Sequence, residues 1–348
     1  MHKIVIHRPG GYGQLKLESH PDLHPGDGEV LINVDAIGVN YADCVTRMGL
    51  YASAKQYEGY PMTPGFEVSG RVSATGRHVS GLQAGDAVLA VTRFNAYATQ
   101  LVVPANQVFP LPAKLSPEQA AGFPAVFLTA WYAVFRLARP EPGDTVLVHS
   151  AAGGVGGALV QLCKVAGCRV IAVVGATHKI DTALSHGADS VIDKSTSNLW
   201  QQAEAAAPEG YSAIFDANGV ATLRESYEHL AATGRLVVYG FHSMLPRGRG
   251  KARWLALAWH YLRTPRFSPL RLTTENRSVL GFNLSFLFDK AELFHTAMLQ
   301  LLGWLEEEKI RPLPVTPFSF SRAAEAHQAL ETGQTRGKMV LVVDDTLR

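Results

Sequence analysis

The sequence predicts an α/β protein, with a small β-barrel-like domain joined to a doubly wound parallel sheet. Three observations carry that expectation. Up to about residue 110 the chain reads as short strands cut by Gly and Pro turns. From Thr145 to Tyr239, five strand-like runs alternate with helical stretches. A glycine-rich turn joins the first of those strands to its helix.

The barrel expectation rests on pattern. Val30–Val34 alternates in part, Phe66–Val72 alternates well, and Ala87–Val91 is a short apolar run. Turns such as Pro25-Gly26-Asp27-Gly28 and Ala84-Gly85-Asp86 separate them. Ser116-Pro117 then offers an N-cap followed by Pro at the first helical position, and apolar helical stretches run to about Leu137.

The sheet expectation follows from the alternation. Strands are predicted at Thr145–His149, Arg169–Val174, Ser190–Ile192, Ala213–Asp216 and Leu236–Tyr239. Helices are predicted at Val155–Ala166, Lys179–His186, Trp200–Ala207 and Leu223–Ala231. After a long insertion, Val279–Leu284 reads as a sixth strand. The tail carries helices Phe294–Glu308 and Arg322–Leu330 and a closing strand Lys338–Val343. It is expected to fold back on the first domain. The division is then 1–119 with 290–348 as one discontinuous domain, and 120–289 as the other.

Composition bounds the function. The 348 residues suit two domains of ~150 residues each. Thirty-two Lys and Arg oppose 30 Asp and Glu, with 47% apolar and 18% charged residues. That profile excludes a disordered, collagen-like or nucleic-acid-coating chain. No apolar run approaches the ~18 residues of a membrane span, and the N-terminus lacks a signal peptide's apolar core. Cys44, Cys163 and Cys168 are too few for a disulfide framework or a four-cysteine zinc site. A cytoplasmic setting is expected.

The turn His149-Ser150-Ala151-Ala152-Gly153-Gly154-Val155-Gly156-Gly157 lies between a strand and a helix. There, glycines let the backbone approach a pyrophosphate, and the helix N-terminus supplies free N–H groups. Gly157 is expected to let the helix pack on the strand. Folds that bind NAD place an acid at the end of the second strand. Here Gly175-Ala176-Thr177-His178-Lys179 offers no carboxylate before Asp181. Thr177 and Lys179, with His178, favour a 2′-phosphate and hence NADPH. A solvated lysine at a helix start is the competing reading of Lys179.

With these residues in view, the chain resembles the medium-chain dehydrogenase/reductase superfamily, in its zinc-free quinone oxidoreductase branch. The resemblance is carried by Ala36–Asp43, Pro64–Gly70 and Ala151–Gly156. Gly49-Leu50-Tyr51 and Gly281-Phe282-Asn283-Leu284 further resemble the family of the synaptic-vesicle amine-transport protein and its bacterial relatives. The resemblance implies a GroES-like barrel and a Rossmann domain. Zinc-dependent members use a Cys, a Gly-His-Glu and a later Cys or Asp. The matching positions here hold Asn40, Phe66 and Ala125, and only Glu67 survives. One carboxylate does not make an open three-ligand zinc site, so no metal is expected.

The resemblance then implies a hydride passed from NADPH to a quinone or an α,β-unsaturated carbonyl. Asn40 matches the Asn near the nicotinamide ribose and amide. Tyr51 matches a cleft Tyr able to donate to the acceptor oxygen, although a packed aromatic explains it equally. Thr129 matches a cleft-facing helix position. Gly153, Gly154 and Val155 form the phosphate turn. Gly175, Asn218, Gly240, Phe241, Phe282 and Asn283 follow strand ends that line the cofactor crevice. Lys338 matches a near-terminal Gly-Lys that reaches the cofactor, against the reading of a solvated lysine. Asp193 stands where many quinone oxidoreductases have Tyr, while Lys194 could add charge near the 2′-phosphate. Asp43 could hold its loop by a cap-type bond. Cys44 follows it near the cleft, where thiol modification would inhibit.

Met244–Arg277 stands apart. Arg247, Arg249, Lys251, Arg253, Arg263, Arg266, Arg271 and Arg277 face a single acid, Glu275. Trp254–Leu262 between them is aromatic and apolar. A subunit interface in a homodimer, a lid over the cofactor, or peripheral membrane contact through 247–266 would each account for it. The alternative to a reductase is an NADPH-binding protein with weak or no catalysis, acting at a membrane surface or in a complex.

Overall fold

The computed structural model describes residues 1–244 and 254–347. Arg247, Arg249, Lys251 and Arg253 lie outside the described residues. Strands β1 (His2–Val5) and β2 (Lys16–Ser19) form a small antiparallel pair. A seven-stranded sheet is built on β3 (Glu29–Val39), β4 (Glu67–Thr75), β5 (Ala87–Val91), β6 (Gln100–Pro104) and β7 (Val108–Pro110). These strands pair antiparallel, with alternate residues of β4 turned to the core in its second half.

Six parallel strands make the second sheet: β8 (Thr145–His149), β9 (Arg169–Val174), β10 (Ser190–Asp193), β11 (Tyr211–Asp216), β12 (Leu230–Val238) and β13 (Ser278–Gly281). Their order is β10-β9-β8-β11-β12-β13. Apolar runs such as Val146-Leu147-Val148 are fully buried because helices cover both faces. The order reverses beside β8, so the crevice for a ligand opens at the carboxyl ends of β8 and β11.

The chain then returns to the first sheet. There β14 (Val315–Ser319) pairs parallel with β15 (Lys338–Val342), and β15 pairs antiparallel with β3. Residues 336–338 are thereby carried to the glycine-rich turn: Gly337 donates its N–H to Ala152 O at 2.9 Å. Gly337 has φ +61°, and a side chain there would meet the Pro314 carbonyl at 2.1 Å, so only glycine suits the position.

Some boundaries shift from expectation. The helix predicted over Leu223–Ala231 stops at Glu228, because β12 starts at Leu230 to pair with Tyr211. The sixth strand ends at Gly281, because Asn283 caps the next turn by accepting from Ser285 N at 3.1 Å. The tail helix runs Ala291–Glu306. Within the insertion the structure shows two helices, Trp254–Arg263 and Pro269–Glu275.

Candidate cofactor and acceptor cleft

A cavity of about 1290 Å³ runs along the strand ends of the parallel sheet and reaches the first sheet. Its floor is the turn after β8. The helix that follows, Gly154–Val165, has no side-chain cap and no acid in its first turn. Its N-terminus is a site for negative charge. A Cβ at Gly156 would lie 2.2 Å from Ser150 O, so Gly156 makes the close approach to the strand end. This corrects the expectation for Gly157, which packs against His186 and Leu313 instead.

Around the turn, Asp216 organises the loop after β11. Its Oδ1 accepts from the Asn218 and Gly219 N–H groups at 2.7 and 3.1 Å, and its Oδ2 accepts from Thr222 and Ser226 hydroxyls at 2.7 and 2.9 Å. His149 Nε2 lies 3.1 Å from Ser226 Oγ, and burial holds its pKa down. Asn218 lines the cleft, and its buried Nδ2 has no hydrogen-bond partner among the described residues. An orphaned donor beside an uncapped helix terminus fits a phosphate-bearing ligand.

At one end of the cleft, Gly175, Lys179 and Lys194 line the wall. Lys179 donates to Gly333 O at 2.6 Å, tying the helix start to the loop 333–336. Thr177 and His178 lie outside the lining: the Thr177 hydroxyl donates to Asp193 Oδ2 at 2.6 Å. Hydrogen bonds from Ser195 and Thr177 keep the Asp193 carboxyl below the ordinary range.

At the other end lies a buried group of three. Lys338 Nζ is 2.7 Å from Glu67 Oε1 and 2.5 Å from Asn40 Oδ1. Asn40 Nδ2 donates to Glu67 Oε1 at 2.9 Å, and the Ala125 N–H donates to Glu67 Oε2 at 2.7 Å. Glu67 is 0% exposed and Lys338 3%. Lys338 is thus a buried cation, not a solvated one. Asp43 fixes this corner by accepting from Asn40 N–H at 2.8 Å and from Gly65 N–H at 3.1 Å.

Tyr51 and Asn283 meet across the cleft, the Tyr51 hydroxyl donating to Asn283 Oδ1 at 2.9 Å. Burial raises the Tyr51 pKa, and its ring packs edge-on against Phe66 and Phe94. Thr129 lines the wall, but its hydroxyl donates to Ala125 O of its own helix at 2.6 Å. Gly153, Gly154, Val155, Gly240, Phe241 and Phe282 complete the expected set. Cys44 does not line the cleft: it is fully buried, and burial pushes its thiol well up, which corrects the expectation of an accessible thiol. Reading the sequence also missed Ser150 and the loop around Gly333; only Gly333 and Gly337, as turn residues, signalled that loop.

Two family models match the chain. One, described as an alcohol dehydrogenase GroES-like domain, covers residues 26–113; the other, described as a zinc-binding dehydrogenase, covers residues 186–341. The synaptic vesicle membrane protein VAT-1 homolog of Rattus norvegicus is 31% identical over 343 residues, 97% of this chain and 83% of that protein. The chain belongs to the medium-chain dehydrogenase/reductase superfamily, in its quinone oxidoreductase-like branch.

Solved structures of this superfamily agree in fold. A mycobacterial protein complexed with NADPH is 31% identical, with a TM-score of 0.82, and the match covers 98% of this chain and 99% of that one. Escherichia coli quinone oxidoreductase complexed with NADPH is 26% identical, with a TM-score of 0.83, covering 98% and 100%. The description of the second family model names zinc, which an open catalytic site holds with three protein ligands. Glu67 is committed to an ammonium, an amide and a backbone N–H. Among the described residues, no three His, Cys, Asp or Glu are grouped to hold a metal.

Proposed function

We propose that this dehydrogenase/reductase binds NADPH and reduces a quinone or an α,β-unsaturated carbonyl without zinc. The observation that carries the reading is one continuous cleft with lysines at both ends and, among the described residues, no metal-ligand set between them. Lys179 and Lys194 would hold the 2′-phosphate, the turn Gly153–Val155 the pyrophosphate, and Asn218 Nδ2 an adjacent oxygen. NADPH, when bound, supplies a hydride.

The chain's own part is placement and electrostatics. Lys338, held by Glu67, sets a fixed positive charge and orients the Asn40 amide at the cleft wall. Preorganised charge of this kind stabilises an oxygen that becomes negative as hydride arrives. Tyr51 keeps its proton at neutral pH, because burial raises its pKa, so it acts as a hydrogen-bond donor.

NADPH consumption with a panel of quinones and enones tests the proposal. Turnover with at least one class, undiminished by a chelator, is expected. Tight NADPH binding with no turnover on any acceptor would refute it. That result would favour an NADPH-binding protein with little catalysis at a membrane surface. The observation behind this second reading is the outer face of helix Trp254–Arg263, where Leu255 is 89% and Leu262 71% exposed. Cosedimentation with anionic vesicles checks it. Among the described residues no helix is long and apolar enough to cross a membrane.

A further inference from the structure

We infer that the acceptor carries a long apolar tail, seated between the start of helix Tyr41–Arg47 and the inner face of helix Trp254–Arg263. The inference rests on the reductase reading above and narrows its substrate class to a quinone or enone on an alkyl or isoprenoid chain.

Lining is the first argument. The cavity of about 1290 Å³ has to hold the dinucleotide as well as the acceptor. The residues suited to a dinucleotide cluster at the strand ends of the parallel sheet. A further stretch of lining belongs to neither that group nor the buried lysine corner. Tyr41, Val45 and Leu50 of the first domain and Leu257, Ala258 and Tyr261 of the insertion give it an apolar side, with His242, Ser243 and Thr264 beside them. Apart from His242, Ser243 and Thr264, only Tyr41 and Tyr261 carry a side-chain polar atom there.

Connectivity is the second argument. The Tyr41 ring meets the His242 ring at 4.2 Å. The turn His242–Met244 in turn packs against helix Trp254–Arg263. The insertion helix is therefore tied to the first domain's rim and not attached only to the parallel sheet. Leu257, Ala258 and Tyr261 recur at i, i+1 and i+4, which places them on one helical face toward the cavity.

Direction is the third argument. Tyr261 lines the cavity and is also 73% exposed, so it stands at the mouth. Leu262 and Trp259 continue the apolar surface outside it. A small polar acceptor gains nothing from such a path. A chain that leaves the hydride site along it buries methylene after methylene.

The experiment is calorimetric titration of the full chain, saturated with NADP⁺ so that no hydride passes, using 1,4-benzoquinones with alkyl tails of increasing length. Affinity should rise roughly fourfold per buried methylene until the tail passes Tyr261, and then level off. Leu257→Asn and Tyr261→Ser should each flatten that slope, and retained NADPH binding shows that either variant is folded. A wild-type affinity independent of tail length, or the same slope in both variants, overturns the inference. Parallel NADPH oxidation separates the two claims. Turnover of tail-less quinones without a length effect sinks only the tail site. A length effect on binding without turnover of any acceptor sinks the reductase reading and leaves the tail site standing.

Discussion

Replacing Lys338 by Met tests the electrostatic corner directly. In the folded protein the ammonium lies 2.7 Å from Glu67 Oε1, with both groups out of solvent. At an effective dielectric of ~20, unit charges at that distance attract by roughly 6 kcal/mol, and desolvation of the two ions offsets most of it. Removing one partner alone leaves the other's desolvation uncompensated. Glu67 would keep only the Asn40 Nδ2 and Ala125 N–H donors. The expected loss is ~3–5 kcal/mol of folding stability. Adding Glu67→Gln removes the stranded charge while its oxygen still accepts from Ala125 N–H. The double variant should therefore recover more than half of the loss. Urea denaturation at pH 7, compared at constant m, measures both steps. A Lys338→Met cost below ~1 kcal/mol, or a double variant no better than the single, would show that Lys338 and Glu67 are not one electrostatic unit.

Three further outcomes are expected. Lys179→Ala should weaken NADPH by about 10- to 100-fold, the scale of one charge-assisted bond, and leave NADH nearly unchanged; equal losses in equilibrium titrations would remove the 2′-phosphate assignment. Tyr51→Phe deletes the bond to Asn283 and should cost about 1 kcal/mol in denaturation, together with a fall in kcat; an unchanged kcat would make Tyr51 a packing residue. Burial pushes Asp43 up to about 7, and burial with the nearby Arg47 pushes His327 down to about 3. Folding then moves one proton from His327 to Asp43, so these two groups leave wild-type stability level between their ordinary values of 3.8 and 6.5. Asp43→Asn exposes the His327 side alone: the unfolded chain takes the proton first, and stability should fall by ~1.4 kcal/mol per pH unit as pH drops below 6.5. A flat profile in that variant would contradict the assignment.

What sequence reasoning could reach was whatever is local. The alternation of Thr145–Val238 and the turn at Gly153–Gly156 are written in consecutive residues, because periodicity and glycine placement are short-range properties. The boundary errors have the same origin. Leu223–Ala231 has helical character throughout, yet pairing with Tyr211 pulls Leu230 into β12. A tertiary hydrogen-bond ladder overrode a local preference there. The site was partly legible for the opposite reason. Asn40, Glu67 and Lys338 were visible as individual residues, but 298 positions separate Lys338 from Asn40. The return of the tail to the first domain is expected from the sequence, but the pairing of β15 with β3 and the seat of the ammonium on the Glu67 carboxylate are tertiary facts.

The insertion shows where a charge count misleads. Eight basic residues against one acid suggest a uniformly cationic surface. In the fold, Arg271 donates to Glu228 at 2.8 Å and to Glu275 at 2.7 Å, and Arg277 lies 3.5 Å from Glu275. Glu228 comes from the parallel sheet's own helix, outside the counted segment. Part of the excess charge thus anchors the insertion to the core instead of facing solvent. The apolar residues divide as well, with Leu257 and Tyr261 toward the cavity and Leu255 and Leu262 away from it. The helix is amphipathic overall, yet amphipathicity alone does not say which of its apolar residues face the cavity and which face outward. Helix Trp254–Arg263 contributes a wall to the cleft by packing on the turn His242–Met244, whose His242 meets Tyr41, while the Arg271–Glu228 pair anchors the helix that follows it.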